Sequence, residues 1–300
     1  MAFIDTSSKE GAGAAHKPFD PLAEAVSAND RTRIAKERST LELLRREKRT
    51  RQIKVWTVRI LSLVLWLACW EVASRLELVQ SLLISRPTKV WAALVEYLTH
   101  SPIYVDIWAT FFAVVVGLTL GTLVGIALGI MFAKLPIFYQ AVGPYLTILN
   151  AMPRPALAPI FLVWFGLGAG SKITVAMSIV LFILLLSTVA GIKAVDEDIG
   201  NLADSLAITP WKRFTLIELP SALPFIVAGL RLAAVYSVLG VIVTEMVASY
   251  AGLGQQLILA TTNIQMGQAF AVILMAASFA VIMSGAVSLL ENYLRRRWYQ

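Results

Sequence analysis

The sequence predicts an all-α integral membrane protein with six transmembrane helices and both termini in the cytoplasm. Three observations predict it. Hydrophobic side chains make up 58% of the 300 residues and charged ones 15%, with mean hydropathy +0.72, beyond the balance of ordinary soluble domains. The excess falls in blocks of about 20 or more residues almost free of charge, long enough to cross the hydrocarbon as helices. The net charge of +7 lies wholly in residues 31–54, which hold ten Lys/Arg against three Glu beside the first block. Such a cluster holds the N-terminus in the cytoplasm, and Arg295, Arg296 and Arg297 close the chain on the same side.

The same numbers exclude several classes. One cysteine, Cys69, rules out a disulfide framework or a cysteine metal site, and His16 and His100 are the only histidines, so no metal is expected. No aromatic residue interleaves the basic run before Trp56, which argues against nucleic acid. No G-x-x-x-x-G-K-[ST] motif occurs, so no nucleotide site is expected in this chain. No His/Glu or Ser/Lys cluster lies in the spans, so no catalytic residue is expected.

In chain order, residues 1 to about 30 lack periodicity and read as disordered. Residues 31–54 read as a charged helix; with the preceding stretch they form an N-terminal extension, 1–54, ahead of a membrane domain, 55–300. The first span is Val55–Ser74. An external segment, Leu76–Ser101, follows, with a short helix opened by Pro87 and an apolar face of Val90, Trp91, Leu94, Val95 and Leu98. Ile107–Phe132 is the second span. Its Gly117, Gly121, Gly125 and Gly129 make a small-residue stripe, read as packing within the chain. Leu135 to Ser171 carries Pro136, Pro144, Pro153, Pro155 and Pro159 and one charge, Arg154, and reads as a third span broken near its middle. Ile173–Ile192 is the fourth span, and the fifth runs from about Ser221 to Glu245. Met246–Leu290 is free of Asp, Glu, Lys and Arg for 45 residues, so it divides into an external segment, Ser249–Gln268, and a sixth span, Ala269–Leu290.

Between the fourth and fifth spans lies Lys193–Pro224, the longest polar, mixed-charge stretch between apolar blocks. Ile199, Leu202, Ala203, Leu206 and Ala207 recur at helical spacing and would give one apolar face. Thr209-Pro210 ends that helix. Periodicity alone fits a surface connector as well as a docking element. The residue order resembles the cytoplasmic loop of ABC importer permeases: Glu-Ala-Ala, a glycine four residues later, then Ile-x-Leu-Pro. Counting back from Leu219-Pro220 places Ile217 on the isoleucine, Ala207 on the glycine and Asn201-Leu202-Ala203 on Glu-Ala-Ala, of which only Ala203 matches. The run LPSALPFIVAGLRLA, Leu219–Ala233, is similar to the LPxxLPxIxxGLRxA of the nitrate, sulfonate, taurine and bicarbonate-type branch. AMPRPALAPIFLVWFGLG, Ala151–Gly168, and TEMVASYAGLGQQL, Thr244–Leu257, are similar to two further signatures of that branch.

The resemblance covers about three quarters of the chain, omits residues 1–54, and implies a type I importer permease fold in a bacterial inner membrane. It implies a second permease chain, usually identical, two cytoplasmic ATPases that bind ATP and magnesium, and an external substrate-binding protein. The permease chain itself would carry no cofactor. Ile199, Leu202, Ala203, Asp204, Leu206 and Ala207 would enter the ATPase, with Asp204 pairing at its rim. Because alanine lacks glycine's access to positive φ, the docked helix is expected from about Ile199 to Ile208, turning only at Thr209-Pro210.

Charges inside spans are costly and mark candidate sites. Arg154 sits among helix-breaking prolines with Asn150 one turn earlier, so the pair either meets an anionic substrate or fixes a carbonyl at a kink. Glu245 is placed on the same path, shaping an outer gate with Gly252-Leu253-Gly254. The alternative is an ion-coupled secondary transporter, for which Glu245 is the one candidate coupling carboxylate.

Overall fold

The computed structural model describes residues 21–77, 84–100 and 102–298; the expectation for residues 1–20 lies outside them. The chain divides into two compact units, with the boundary between Ala68 and Cys69 rather than at residue 54. Helix α1 (Pro21–Arg75) runs through that boundary. It starts ten residues before the expected basic helix. Pro21 needs no amide partner at a first turn, and no Gly or Pro interrupts the residues from Leu22 to Arg75.

In the second unit, α2 (Pro87–His100) buries Val90, Ala93 and Tyr97, while Trp91, Val95 and Leu98 stay exposed. The buried stripe is thus rotated from the expected one, because Ala93 and Tyr97 complete a face at the same helical spacing. The Glu71 carboxylate accepts bonds from the Thr88 amide at 3.2 Å and the Thr88 hydroxyl, closing the first turn of α2.

Helix α3 (Ile103–Lys134) packs along α6 (Ala169–Lys193), the most buried helix of the bundle. A Cβ on Gly117, Gly121, Gly125 or Gly129 would stand 2.5–2.9 Å from Ala176, Val180, Leu184 or Thr188, or from α6 backbone oxygens. The glycine stripe therefore serves contact within the chain, and each added methyl would cost about 1–3 kcal/mol in overpacking. Between these two helices lie α4 (Pro136–Ala151), a 3-10 turn (Arg154–Leu157) and α5 (Ala158–Phe165). The axes of α4 and of Arg154–Phe165 differ by 81°. Pro153, Pro155 and Pro159 supply no amide donors here, so a continuous ladder cannot form.

After α6 come α7 (Glu197–Ser205), α8 (Pro210–Arg213), a π-type turn (Phe214–Glu218) and α9 (Leu219–Val247). Helical backbone thus begins at Pro210, eleven residues before the expected fifth span. Pro220 and Pro224 withhold two donors, and the Leu219 amide reaches back to Phe214, the wide spacing of a π turn. The chain continues through α10 (Leu253–Thr262) to α11 (Met266–Trp298). Among the described residues, five helices are long and apolar enough to cross a membrane, and the bent pair would make a sixth.

Candidate functional site

Charges between or inside apolar segments gather at three places along α6, and a further pair, Arg231 with Glu291, joins α9 to α11. The first is the helix break. The Arg154 guanidinium donates to the Leu149 carbonyl and the Asn150 side-chain oxygen, both at 3.2 Å. It also lies over the Phe182 ring of α6, 4.3 Å from its centroid. The structure therefore brings Asn150 and Arg154 together, with the guanidinium spanning the break. Asn150 remains exposed and Arg154 is half-buried, so both can still be reached.

The second place is a closed node at the N-terminal end of α6. Glu245 is 1% exposed and Lys172 4%, with Lys172 Nζ 3.1 Å from Glu245 Oε1. The Thr110 hydroxyl donates to the same carboxylate at 3.0 Å, and Lys172 also donates to the Ala251 carbonyl. Three consecutive amides at the start of α10 complete the node. Gly252 N–H donates to Asp106 at 2.7 Å, Leu253 N–H to the Thr110 oxygen at 3.0 Å, and Gly254 N–H to Glu245 at 2.9 Å. The Gln256 amide donates to the other Asp106 oxygen at 2.8 Å. First-turn amides have no partners within their own helix, and their dipoles favour anions. Here α3 and α9 supply two carboxylates and a hydroxyl to them. Gly252 has φ +135, and a Cβ there would stand 2.1 Å from Glu245 Oε1, so only glycine fits.

In the node the Glu245 carboxylate is bonded on both oxygens, shut inside the packing, and set against the Gly252-Leu253-Gly254 run with which it was expected to act. It does not meet Arg154. Phe182 and Lys172 stand ten residues apart on α6, about 15 Å. Sequence reasoning missed Lys172, Asp106 and Thr110. Lys172 is the only charge between Arg154 and Lys193, a signal that was there to be used. Beside the node, burial, with Glu96 and Asp106 nearby, raises the Tyr97 phenol above its ordinary range. It stays protonated and donates to Gln268 at 3.3 Å.

The third place is the polar loop. Asp196 caps α7, accepting from the Asp198 amide at 2.9 Å. Ile199, Leu202 and Leu206 form an exposed row at 48%, 59% and 65%. Ala203 does not belong to it: at 2% exposed it faces the body with Gly200, where an added Cβ would stand 3.3 Å from the Arg213 guanidinium. Asp204 pairs within the loop, with Arg213 Nη1 at 2.6 Å, while its side chain stays exposed. Arg213 also reaches Glu218 at 3.4 Å, and Lys134 pairs with Glu218.

The expected helix through Ala207 is corrected as well. The helix ends at Ser205, and Ala207 takes φ +48, as a glycine would. Ala207 N–H donates to the Asp204 carbonyl and Ile208 N–H to the Ala203 carbonyl, at 3.0 and 3.1 Å. These are the two bonds of a Schellman ending, which together outweigh the roughly 1–2 kcal/mol that a Cβ costs in left-handed backbone.

A family model described as the binding-protein-dependent transport system inner membrane component matches residues 121–298. The chain is 28% identical over 251 residues to a putative aliphatic sulfonates transport permease of Bacillus subtilis, covering 83% of this chain and 90% of that one. It is 28% identical over 225 residues to the formylaminopyrimidine transport permease of Halalkalibacterium halodurans, covering 75% and 89%. Its fold is like that in the crystal structure of an amino acid ABC transporter with histidines, with TM-score 0.53 over 68% of this chain and 98% of that one at 19% identity. The chain is a multi-pass inner-membrane protein that belongs to the binding-protein-dependent permease family of ABC transporters, with sulfonate, nitrate, taurine and bicarbonate permeases among its relatives.

Proposed function

We propose that two copies of this chain form the translocation path of an ATP-driven importer for a small organic or inorganic anion of the sulfonate, nitrate or taurine kind. An external binding protein delivers the anion, and two cytoplasmic ATPases, which bind ATP and magnesium, dock on α7. The observation that carries this reading is the exposed row Ile199, Leu202 and Leu206 on a short capped helix whose opposite side, Gly200 and Ala203, is seated on the body. A helix fixed on one side and bare on the other is a handle: force applied to it passes to α6 and α9 at its two ends. Relatives that carry sulfonates support the anion reading, and Arg154 at the helix break is the cation within reach. An ion-coupled carrier would instead need a carboxylate free to load and release its ion. Glu245, held by Lys172, Thr110 and Gly254, lacks that freedom.

Docking is tested by crosslinking after the exposed native Cys69 is replaced by serine. Cysteines at Leu202 and Leu206 are expected to crosslink to the ATPase, and Leu206→Asp to abolish uptake while the permease remains folded. Crosslinks from the Arg295–Arg297 tail alone would reduce α7 to a connector. For the substrate, Arg154→Ala is expected to lower uptake of a sulfonate at least tenfold with complex assembly intact. An equal loss for an uncharged pyrimidine would assign Arg154 to holding the helix break and leave docking untouched.

A further inference from the structure

We infer that α1 carries a binding site for the headgroup of one anionic phospholipid, formed by Lys48, Arg51, Gln52, Trp56 and Arg59. These residues and Val55 line a cleft of ≈ 370 Å³ on the helix surface. Lys48, Gln52, Val55 and Arg59 stand at spacings of four, three and four, so they share one face. The cleft spans the point where α1 turns from basic to apolar, since the membrane-crossing stretch begins at Thr50. The chain has five Lys/Arg from Lys48 to Arg59 and no carboxylate from Lys48 to Trp70; the nearest in sequence are Glu47 and Glu71.

Arg59 is the informative member. It lies inside the candidate span Thr50–Arg75 and four residues past Val55, where the apolar run starts, and an unpaired guanidinium there is costly. Side chains on a helix lean toward its N-terminus, which here brings the Arg59 head back toward Lys48 and Arg51. The guanidinium carbon sits 5.4 Å from the Trp56 ring centroid, a cation held over an aromatic face. Tryptophan is the residue that settles at headgroup depth. The result is three cations and an amide around a cleft at the polar edge of the bilayer, with exposed Val58, Leu61 and Leu65 continuing along the same helix. A phosphodiester fits the cations and its acyl chains fit that apolar surface. An inorganic anion would satisfy the first half alone. A neutral or zwitterionic headgroup would leave the excess positive charge unanswered. Near a membrane surface each such cation is worth about fivefold in affinity, or ~1 kcal/mol.

The test is native mass spectrometry of the full-length chain in detergent, titrated with phosphatidylglycerol, phosphatidylcholine or inorganic phosphate. One phosphatidylglycerol is expected to bind ahead of the rest. Its affinity is expected to fall about fivefold in Arg51→Gln and about 100-fold in the combined K48Q/R51Q/R59Q variant. Neutralising Arg295, Arg296 and Arg297 is expected to leave it unchanged. Eight of the ten Lys/Arg between 31 and 54 remain in the triple variant, so its membrane orientation holds, and the single variant reports even if the triple does not accumulate. Equal first-site binding of phosphatidylcholine, displacement of the lipid by inorganic phosphate, or unchanged affinity in Arg51→Gln would each overturn the assignment.

Discussion

The two ends of α6 use the same chemical groups to opposite effect. At one end Lys172 and Glu245 are shut away from solvent, with every oxygen of Glu245 and Asp106 bonded. At the other, roughly 30 Å along the helix, Lys134, Glu218, Arg213 and Asp204 form a chain of pairs that runs from the buried Glu218 out to Asp204, whose side chain is 67% exposed. A buried pair whose lone pairs are all satisfied stands as a unit, and losing one partner strands a charge. An exposed pair exchanges its partner for water at little cost. The closed end is thus suited to hold the start of α10 in one place. The open end is suited to the docking proposed for α7.

The largest effect is expected from Lys172→Met, which leaves the Glu245 carboxylate buried without its cation. A loss of about 3–5 kcal/mol should appear in thermal unfolding of the solubilised protein, and adding Glu245→Gln should recover part of it. A variant with wild-type stability would erase the contrast between the two ends. A smaller change of opposite sign is expected from Ala207→Gly, which keeps the turn at φ +48 and removes the Cβ. It should stabilise by about 1 kcal/mol without altering uptake; a destabilised variant would show that the left-handed turn is not populated. The smallest is Asp204→Ala. Its partner Arg213 keeps Glu218, so unfolding should shift by about 0–1 kcal/mol. A loss as large as that of Lys172→Met would mean that the loop is as tightly locked as the node.

How much of this was legible in the sequence depends on the range of the cause. Prolines 153, 155 and 159 mark the break in the third apolar block, because a missing amide acts within one turn of its own position. The spacing of Gly117, Gly121, Gly125 and Gly129 announces a close helix contact for the same local reason. The node was hidden. Asp106, Lys172 and Glu245 are separated by 66 and 73 residues, and each alone looks like a charge at the edge of a span. Only the Gly252-Leu253-Gly254 run hinted that something approaches backbone closely there. Ala207 misled in the other direction. Intrinsic preference forbids what two hydrogen bonds at the end of α7 enforce.

By itself the sequence determined the solvent of each segment: which blocks enter lipid, where the chain must bend, and which stretch stays polar. Those properties follow from composition and from backbone groups that each residue has or lacks. The tertiary structure alone decided which faces and which charges are spent inside the molecule. It turned Ala203 inward and left Leu206 out, gave Asp204 to Arg213, and closed Glu245 with Lys172. The physical reason is that burial and pairing belong to neighbours in space, and four helices far apart in the chain must pack before those neighbours exist.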